Sequence, residues 1–159
     1  MSLKTTDLCD AHGSTLQVAE DIFCSFGGRR SFHGPIFTVS VFEDNVLVRE
    51  AIESIPVGSV LVVDGGGSKR CALLGDRLAA IAIDRGLAGI IINGCVRDTA
   101  DLVKMEIGVL AVGKSPRKSV KRGKGKRDIP VQFAGMNWIP NQYAYVDEDG
   151  IVISKTSLA

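Results

Sequence analysis

Cysteine and histidine, the residues that build zinc cages and disulfide frameworks, are scarce in this 159-residue sequence. The four cysteines, Cys9, Cys24, Cys71 and Cys95, stand 15, 47 and 24 positions apart, and neither of the two histidines is grouped with them. These spacings match neither a metal-ligand motif nor a dense disulfide scaffold. We therefore expect reduced thiols in a cytoplasmic protein, and we expect Cys95 to pack in the core.

Long apolar runs are missing as well. The N-terminal residues have no hydrophobic stretch typical of a signal peptide, and no run approaches the roughly 20 apolar residues that a membrane-spanning helix needs. Hydrophobic residues still make up 45% of the chain and charged residues 23%, a composition typical of a folded chain with a buried core. We expect residues 1–159 to form a single domain in the cytoplasm, with no membrane partner.

Acidic residues are absent from one segment, between Lys114 and Arg127. Eight residues of this basic segment are lysine or arginine, which leaves 11 basic and 18 acidic residues elsewhere. Such a run is usually a solvated loop or a subunit contact, and the alternative is a rim of positive charge that attracts dianionic substrates. The segment has no aromatic residue for stacking on bases, so direct nucleic-acid binding is not expected.

The middle of the chain alternates between apolar runs and helical periodicity. Segments 59–63, 88–93 and 109–112 are short and apolar throughout, as buried parallel strands are, whereas alternation over 32–42 predicts a half-buried strand. Helical spacing predicts helices that begin near Thr5 or Thr6, at segment 43–45 and at Gly75. Three further strands, over 129–133, 142–146 and 151–154, have the pattern of antiparallel pairs. The sequence therefore predicts an α/β fold with a parallel βαβ centre and added antiparallel strands.

Two predicted loops carry the residues of chemical interest. The first runs from Gly65 to Asp76 and enters a helix, where unpaired backbone N–H groups form an anion site and Gly75 permits close approach. The second carries Arg97, whose planar guanidinium can bind a carboxylate at two points, and Asp98, a hard ligand suited to Mg²⁺. Because ligands bind at the carboxyl ends of parallel strands, these residues predict a 2-oxo acid site with a divalent metal cation (Mg²⁺ or Mn²⁺). The alternative is a helix cap beside a surface ion pair.

The order and spacing of several motifs closely resemble one known family. They are Phe26-Gly27-Gly28-Arg29, Val41-Phe42-Glu43-Asp44-Asn45, Val62-Val63-Asp64-Gly65-Gly66-Gly67-Ser68, Leu74-Gly75-Asp76 and Asn93-Gly94-Cys95-Val96-Arg97-Asp98. The chain resembles, over nearly its whole length, the regulator of ribonuclease activity A family and its class II 4-hydroxy-4-methyl-2-oxoglutarate aldolases. The catalytic branch has an Asp, twenty residues, an Arg-Asp pair and, after two more residues, Asp or Glu. Asp76, Arg97, Asp98 and Asp101 satisfy this pattern without a gap.

The resemblance implies a role for each of these residues. The amides of Gly75, Asp76, Arg77 and Leu78 would bind the substrate carboxylate, and Arg97 would bind the substrate and stabilise a pyruvate enolate. Asp98 would be the metal ligand, Asp101 would act on the metal from the outer shell through water, and Asp76 would position a water for proton transfer.

The resemblance also implies a fold, an assembly and two reactions. The fold is a three-layer β/β/α domain of the swivelling type with a mainly parallel central sheet and a second, antiparallel sheet, and the assembly is a homotrimer with the site near a subunit boundary. The reactions are retro-aldol cleavage of 4-hydroxy-4-methyl-2-oxoglutarate to two pyruvates and decarboxylation of oxaloacetate. The longer aldolases have a C-terminal extension, with a glutamate for a neighbour's metal site, that this chain lacks beyond Ala159.

Two other functions remain open at this point. The first is a non-enzymatic regulator that binds and inhibits ribonuclease E. Members best known for that role lack one or more site acids, whereas Asp76 and Asp98 are present here. The second is an S-adenosylmethionine-dependent methyltransferase, because segment 60–67 looks like a glycine-rich cofactor loop. The short chain and the absence of a convincing acidic partner for the ribose argue against it.

Overall fold

Uniformly apolar strands form a parallel sheet at the centre of the molecule. The computed structural model describes residues 2–159. The helices and strands, in chain order, are α1 Thr5–His12, β1 Gln17–Val18, β2 Cys24–Ser25, β3 Phe32–Ser40, α2 Val46–Ser54, β4 Val60–Asp64, β5 Ala72–Leu74, α3 Asp76–Asp84, β6 Gly89–Val96, α4 Thr99–Leu102, β7 Gly108–Lys114, β8 Lys126–Arg127, β9 Val131–Phe133, β10 Met136–Trp138, β11 Tyr143–Asp147 and β12 Gly150–Ser154. Within these residues no helix is long and apolar enough to cross a membrane.

Strand β3 belongs to two sheets. Its second half, from Ile36 to Ser40, pairs in parallel with β4, while its first half, from Phe32 to Pro35, pairs antiparallel with β11. The parallel sheet continues from β4 through β6 to β7, with β5 added beside the end of β6. The antiparallel sheet continues from β11 to β12 and β1. Because one strand serves both sheets, the antiparallel sheet is anchored directly on the parallel one.

Two apolar cores separate three layers. The first core lies between the parallel sheet and helices α2 and α3, and its centre includes Ile52, Val63 and Ile92. The second lies between the other face of the parallel sheet and the antiparallel strands, and includes Ile91 and the fully buried Trp138. The result is the expected three-layer α/β fold of the swivelling type. The parallel and antiparallel sheets, joined through β3, form one large mixed sheet, and β9–β10 is a separate small antiparallel hairpin.

Several predicted boundaries are wrong for physical reasons. The first half of β3 alternates as predicted, with Phe32 buried and His33 exposed, but its second half is covered on both faces instead of one. The antiparallel layer buries Thr38 there, and the Thr38 hydroxyl donates a hydrogen bond to the Ile129 carbonyl. Strand β6 does not end at Asn93 but runs to Val96, because β5 and β7 continue to pair with it. Strand β5 was expected to be loop, since three residues are too few to show a strand pattern.

Candidate active site

A cavity of about 810 Å³ opens where β5 and β6 end and α3 begins. Six of the seven residues predicted for the site lie in its wall, and the seventh, Asp101, does not. The six are Gly75, Asp76, Arg77, Leu78, Arg97 and Asp98. The cavity is therefore at the carboxyl ends of neighbouring parallel strands, where α/β proteins bind their ligands.

The site is built around Gly75, because the side chains of Arg97 and Asp98 both lie against it. A Cβ atom placed on Gly75 would be 2.6 Å from Asp98 Oδ2, 3.3 Å from Arg97 Cγ and 3.6 Å from Arg97 Nε. Gly75 has φ −136° and ψ −166°, which is extended backbone open to any residue. Glycine is therefore needed here for space and not for its backbone freedom.

The conformation of Asp98 explains how two adjacent side chains meet at one glycine. Residues in sequence point to opposite faces of a strand, but β6 ends at Val96, and Asp98 takes the left-handed conformation at φ 58° and ψ 42°. Asp is among the few residues that tolerate this region. The backbone carbonyl of Asp98 accepts hydrogen bonds from the N–H groups of Asp101 and Leu102, so the short helix α4 holds the turn in place.

Helix α3 presents backbone donors to the cavity. The N–H of Asp76 donates to Asp98 Oδ2 over 3.1 Å, whereas the N–H groups of Gly75, Arg77 and Leu78 have no acceptor among residues 2–159. Unpaired N–H groups in the first turn carry the positive end of the helix dipole. The start of α3 can therefore hold the carboxylate of a ligand.

Arg97 is available to a ligand as well. It is partly buried in the cavity wall, and its guanidinium makes no hydrogen bond or ion pair within the described part of the chain. A buried or half-buried arginine without a protein partner is unusual, because its charge is costly to desolvate. The free guanidinium, the N–H groups of α3 and the Asp98 carboxylate can together bind a small anion with a polarisable oxygen.

The sequence analysis did not assign several of the polar and charged residues that line the cavity. Helix α2 contributes Arg49 and Glu50 to the cavity, and the basic segment contributes Lys118, Ser119 and Lys121. The basic segment was noticed, and a positive rim was one of its two interpretations, but nothing in the sequence linked it to Arg97. The helical spacing of α2 predicted its buried face and contained no signal for the cavity-facing residues.

A buried carboxylate holds the basic segment beside the cavity. Asp44 is 2% exposed, and its side chain accepts hydrogen bonds from the N–H groups of Val46, Arg122 and Lys124. Burial by itself raises the pKa of Asp44, but these hydrogen bonds, with one from Gly123, outweigh it and hold the pKa below its ordinary value. Asp44 therefore remains ionised at neutral pH and keeps the cationic segment in position.

Comparisons with known proteins identify the family of this chain. The family model described as "RraA-like: Aldolase/RraA" matches residues 5–153. The chain belongs to this RraA-like family. Proteins of Bacillus cereus (58% identical, 98% of both chains) and Alkalilimnicola ehrlichii (53% identical, 99% and 98%) are both named "Putative 4-hydroxy-4-methyl-2-oxoglutarate aldolase".

Two solved structures share this RraA-like fold over the whole chain. The RNA-processing inhibitor RraA from Thermus thermophilis is 43% identical, with a TM-score of 0.95 over 100% of this chain and 96% of that one. A Geobacillus kaustophilus structure named S-adenosylmethionine: 2-dimethylmenaquinone methyltransferase is 59% identical, with a TM-score of 0.96 over 98% and 96%. The relatives thus carry three different functional names on one fold, so the fold does not distinguish between those functions.

The glycine-rich loop after β4 cannot offer its amides to a cofactor in this RraA-like chain. The N–H groups of Gly65 and Gly67 both donate to the Asn93 carbonyl over 3.0 Å, and that of Gly66 donates to Asp64 Oδ1 over 3.0 Å. The Asn93 side chain also donates to Asp64 Oδ1 over 3.1 Å. Phosphate and cofactor loops work through free N–H groups, and these are already used.

The acidic residues of the site fit a hydrated hard cation. Residues 2–159 contain no group of three or more His, Cys, Asp or Glu side chains placed to hold a metal, so a protein cage is not formed. Asp98, however, has one carboxylate oxygen with no partner, and Mg²⁺ commonly takes one or two carboxylates and keeps several waters. Asp101 is exposed on α4 and outside the cavity wall. Any action of Asp101 on the metal would therefore need intervening water.

Cys95 behaves as a packed core residue. Its side chain is fully buried, and burial raises the pKa of its thiol, with the nearby Lys69 acting in the opposite direction. Cys95 is not among the residues that line the cavity. A neutral, covered thiol is a poor nucleophile and a poor metal ligand.

Proposed function

We propose that this RraA-like protein is a divalent-metal-dependent lyase that forms pyruvate enolate. Its reactions are retro-aldol cleavage of 4-hydroxy-4-methyl-2-oxoglutarate to two pyruvates and decarboxylation of oxaloacetate. The observation that carries the proposal is the meeting of the unpaired Arg97 guanidinium and the Asp98 carboxylate at Gly75, beside the free N–H groups of α3. The names of the aldolase relatives support the same class of reaction.

Each side chain has a defined task in this proposal. The N–H groups of Gly75, Arg77 and Leu78 bind the C1 carboxylate of the substrate, and Arg97 donates to the 2-oxo oxygen. That oxygen gains negative charge as the enolate forms, so the arginine binds the transition state more tightly than the substrate. Asp76 positions a water that exchanges protons with the reacting carbons.

A divalent cation held by Asp98, with Asp101 acting through water, would withdraw electrons from the oxo group when bound. In both reactions the bond between C3 and C4 breaks, and its electron pair enters the enolate. The other product is a second pyruvate, after loss of the C4 hydroxyl proton, or carbon dioxide. Protonation of C3 then yields pyruvate, so one site can perform both reactions.

The basic wall of the cavity suits substrates with two carboxylates. Five cationic side chains and three acidic ones line it, and a cleft with an excess of positive charge raises the local concentration of dianions. We extend the proposal to a cytoplasmic homotrimer with the site near a subunit boundary, for which the family resemblance is the support.

The test is a coupled pyruvate-release assay on both 2-oxo acids, with Mg²⁺ or with a chelator. We expect release that depends on the metal and falls at least about 100-fold in Arg97→Ala, because a donor to the developing charge is lost. Arg29→Ala, which removes an exposed arginine outside the cavity, is the matched control. Absence of release by the wild type contradicts the proposed activity, and release unaffected by chelator contradicts the metal.

A second candidate function is inhibition of ribonuclease E, which the 43% identity to the RNA-processing inhibitor RraA supports. We expect a regulator of this kind to bind the nuclease through its surface and not through the cavity. The purified wild type and the Arg97→Ala variant should then slow cleavage of an RNA substrate by ribonuclease E to the same extent. No inhibition at micromolar concentrations would count against this function.

A further inference from the structure

Ser119, in the basic segment, has a buried hydroxyl without a partner. The residue is 4% exposed, and its Oγ is covered by protein yet makes no hydrogen bond within residues 2–159. Buried hydroxyls almost always have a partner, because leaving one unpaired is unfavourable. Such a group therefore needs an explanation, and a ligand that completes the hydrogen bond is one.

The position of Ser119 points to a ligand in the cavity. It lies in the cavity wall between Lys118 and Lys121, which line the same cavity. Rotation about a single bond, Cα–Cβ, moves the hydroxyl among three staggered positions. A covered hydroxyl in a cavity wall that also carries two lysines can thus turn to meet an anion without any movement of the backbone.

The backbone on both sides of Ser119 is fixed. On one side the Ala72 N–H donates to the Arg117 carbonyl over 2.8 Å, and on the other the Val120 N–H donates to the Glu43 carbonyl over 2.9 Å. Because these bonds tie the segment to β5 and to the turn before α2, the hydroxyl is held at a set place in the wall. Binding there requires little ordering of the protein, which favours affinity.

We infer that Ser119 is a specificity residue, whose hydroxyl donates to the second carboxylate of a dicarboxylic 2-oxo acid while Lys118 and Lys121 balance its charge. The choice of ligand rests on the proposed function. The site then has two carboxylate subsites, one at the start of α3 for C1 and one at Ser119 for the distal carboxylate, with Arg97 at the 2-oxo oxygen between them. It prefers 2-oxo dicarboxylic acids to 2-oxo monocarboxylic acids of the same length.

Two stable ligands test this without any reaction. 2-Oxoglutarate has the five-carbon main chain of the proposed aldolase substrate without its C4 hydroxyl and C4 methyl groups, so it cannot undergo retro-aldol cleavage. 2-Oxopentanoate has the same five-carbon chain without the distal carboxylate. Calorimetric titration in a buffer with MgCl₂ should show that the wild type binds 2-oxoglutarate at least about tenfold more tightly than 2-oxopentanoate. In Ser119→Ala the Kd for 2-oxoglutarate should rise about tenfold, the value of one hydrogen bond to a charged group, and that for 2-oxopentanoate should not change.

Ser59 provides a matched control. It is fully buried, its Oγ also has no partner, and it is not in the wall of the cavity. Ser59→Ala should leave both dissociation constants unchanged, and Ser119→Thr, which keeps a hydroxyl, should retain preference for the dicarboxylate. Thermal melting should show that Ser119→Ala is folded and no less stable than the wild type, because the hydroxyl it removes is unpaired.

The inference is overturned if Ser119→Ala binds 2-oxoglutarate as the wild type does, or if it weakens both ligands equally. The outcome is separate from that of the proposed function. Selective binding of 2-oxoglutarate through Ser119 in a protein that releases no pyruvate would contradict the lyase and leave this ligand class in place. Pyruvate release by the wild type, together with unchanged ligand selectivity in Ser119→Ala, would support the lyase and contradict the role of Ser119.

Discussion

Adding one methyl group at Gly75 should lower activity about 100-fold and leave the fold intact. In Gly75→Ala the new Cβ would lie 2.6 Å from Asp98 Oδ2, whereas a carbon–oxygen contact is about 3.3–3.6 Å. The Asp98 carboxylate must therefore withdraw by about 0.7–1.0 Å. Arg97 Cγ, at 3.3 Å, is displaced by less. A misplacement of about 1 Å can lower a rate about 100-fold, and we expect that loss in kcat/KM for pyruvate release.

Stability should change little in the same variant. The backbone at Gly75 is extended, so alanine introduces no strain there. The hydrogen bond from the Asp76 N–H to Asp98 is lengthened beyond its 3.1 Å, which costs about 1 kcal/mol. The reduced entropy of the unfolded chain returns about 0.4–1 kcal/mol. The free energy of unfolding in urea should therefore stay within about 1 kcal/mol of the wild-type value.

A second glycine serves as the control for this experiment. Gly113→Ala adds the same methyl group at a position where the nearest atom, Cys95 Sγ, is 3.4 Å away, an ordinary contact. Gly113→Ala should keep nearly full activity in the coupled assay. The steric argument is refuted if Gly75→Ala retains activity near that of the wild type, or if the glycine at 113 proves equally sensitive.

Three further experiments, with four variants and one control, test the metal ligand, the support of the basic segment and the basic wall. Asp98→Asn should lower the apparent affinity for Mg²⁺ at least about tenfold, as measured by the metal dependence of pyruvate release, and an unchanged dependence would contradict its role as ligand. Because the folded-state pKa of Asp44 is lowered, its stabilisation is present above its unfolded pKa of about 3.9 and is lost as pH falls through the folded pKa. Asp44→Asn should therefore be less stable by about 2 kcal/mol at pH 7 and should lose less stability upon acidification in urea melts. Lys118→Ala and Lys121→Ala should raise KM for oxaloacetate and weaken its salt dependence, whereas Lys126→Ala, outside the cavity wall, should change neither.

Local patterns in the sequence were sufficient for most of the fold. The buried strands β4, β6 and β7 appear as short apolar runs, because parallel strands covered on both faces leave no position for polar residues. Helix α3 was predicted to begin at Gly75 and is observed over Asp76–Asp84, with Gly86 in the left-handed conformation after it. The short strands β1, β2, β5, β8 and β10 were missed, because two or three residues cannot display a periodicity.

Part of the candidate site was also selected from the sequence, by residue spacing and not by periodicity. Asp76, Arg97 and Asp98 were selected by their spacing, and the order of β5, α3 and β6 along the chain brings the ends of these elements together. A positive rim was one interpretation of the basic segment, but its place beside Arg97 was not predicted, because that place depends on Asp44, whose carboxylate binds backbone groups 78 and 80 positions away. Contacts of that separation leave no periodic signal in the sequence.

The sequence by itself therefore determined most of the elements and the choice of Arg97 and Asp98 as candidate site residues, since both depend on local backbone preference and on the kind of side chain present. Only the tertiary structure decided that these two neighbours meet at Gly75, and that Ser119 and its flanking lysines form the facing wall. The physical reason is that a left-handed residue at Asp98 and a buried carboxylate at Asp44 set these positions. Both act through contacts that exist only once the chain has folded.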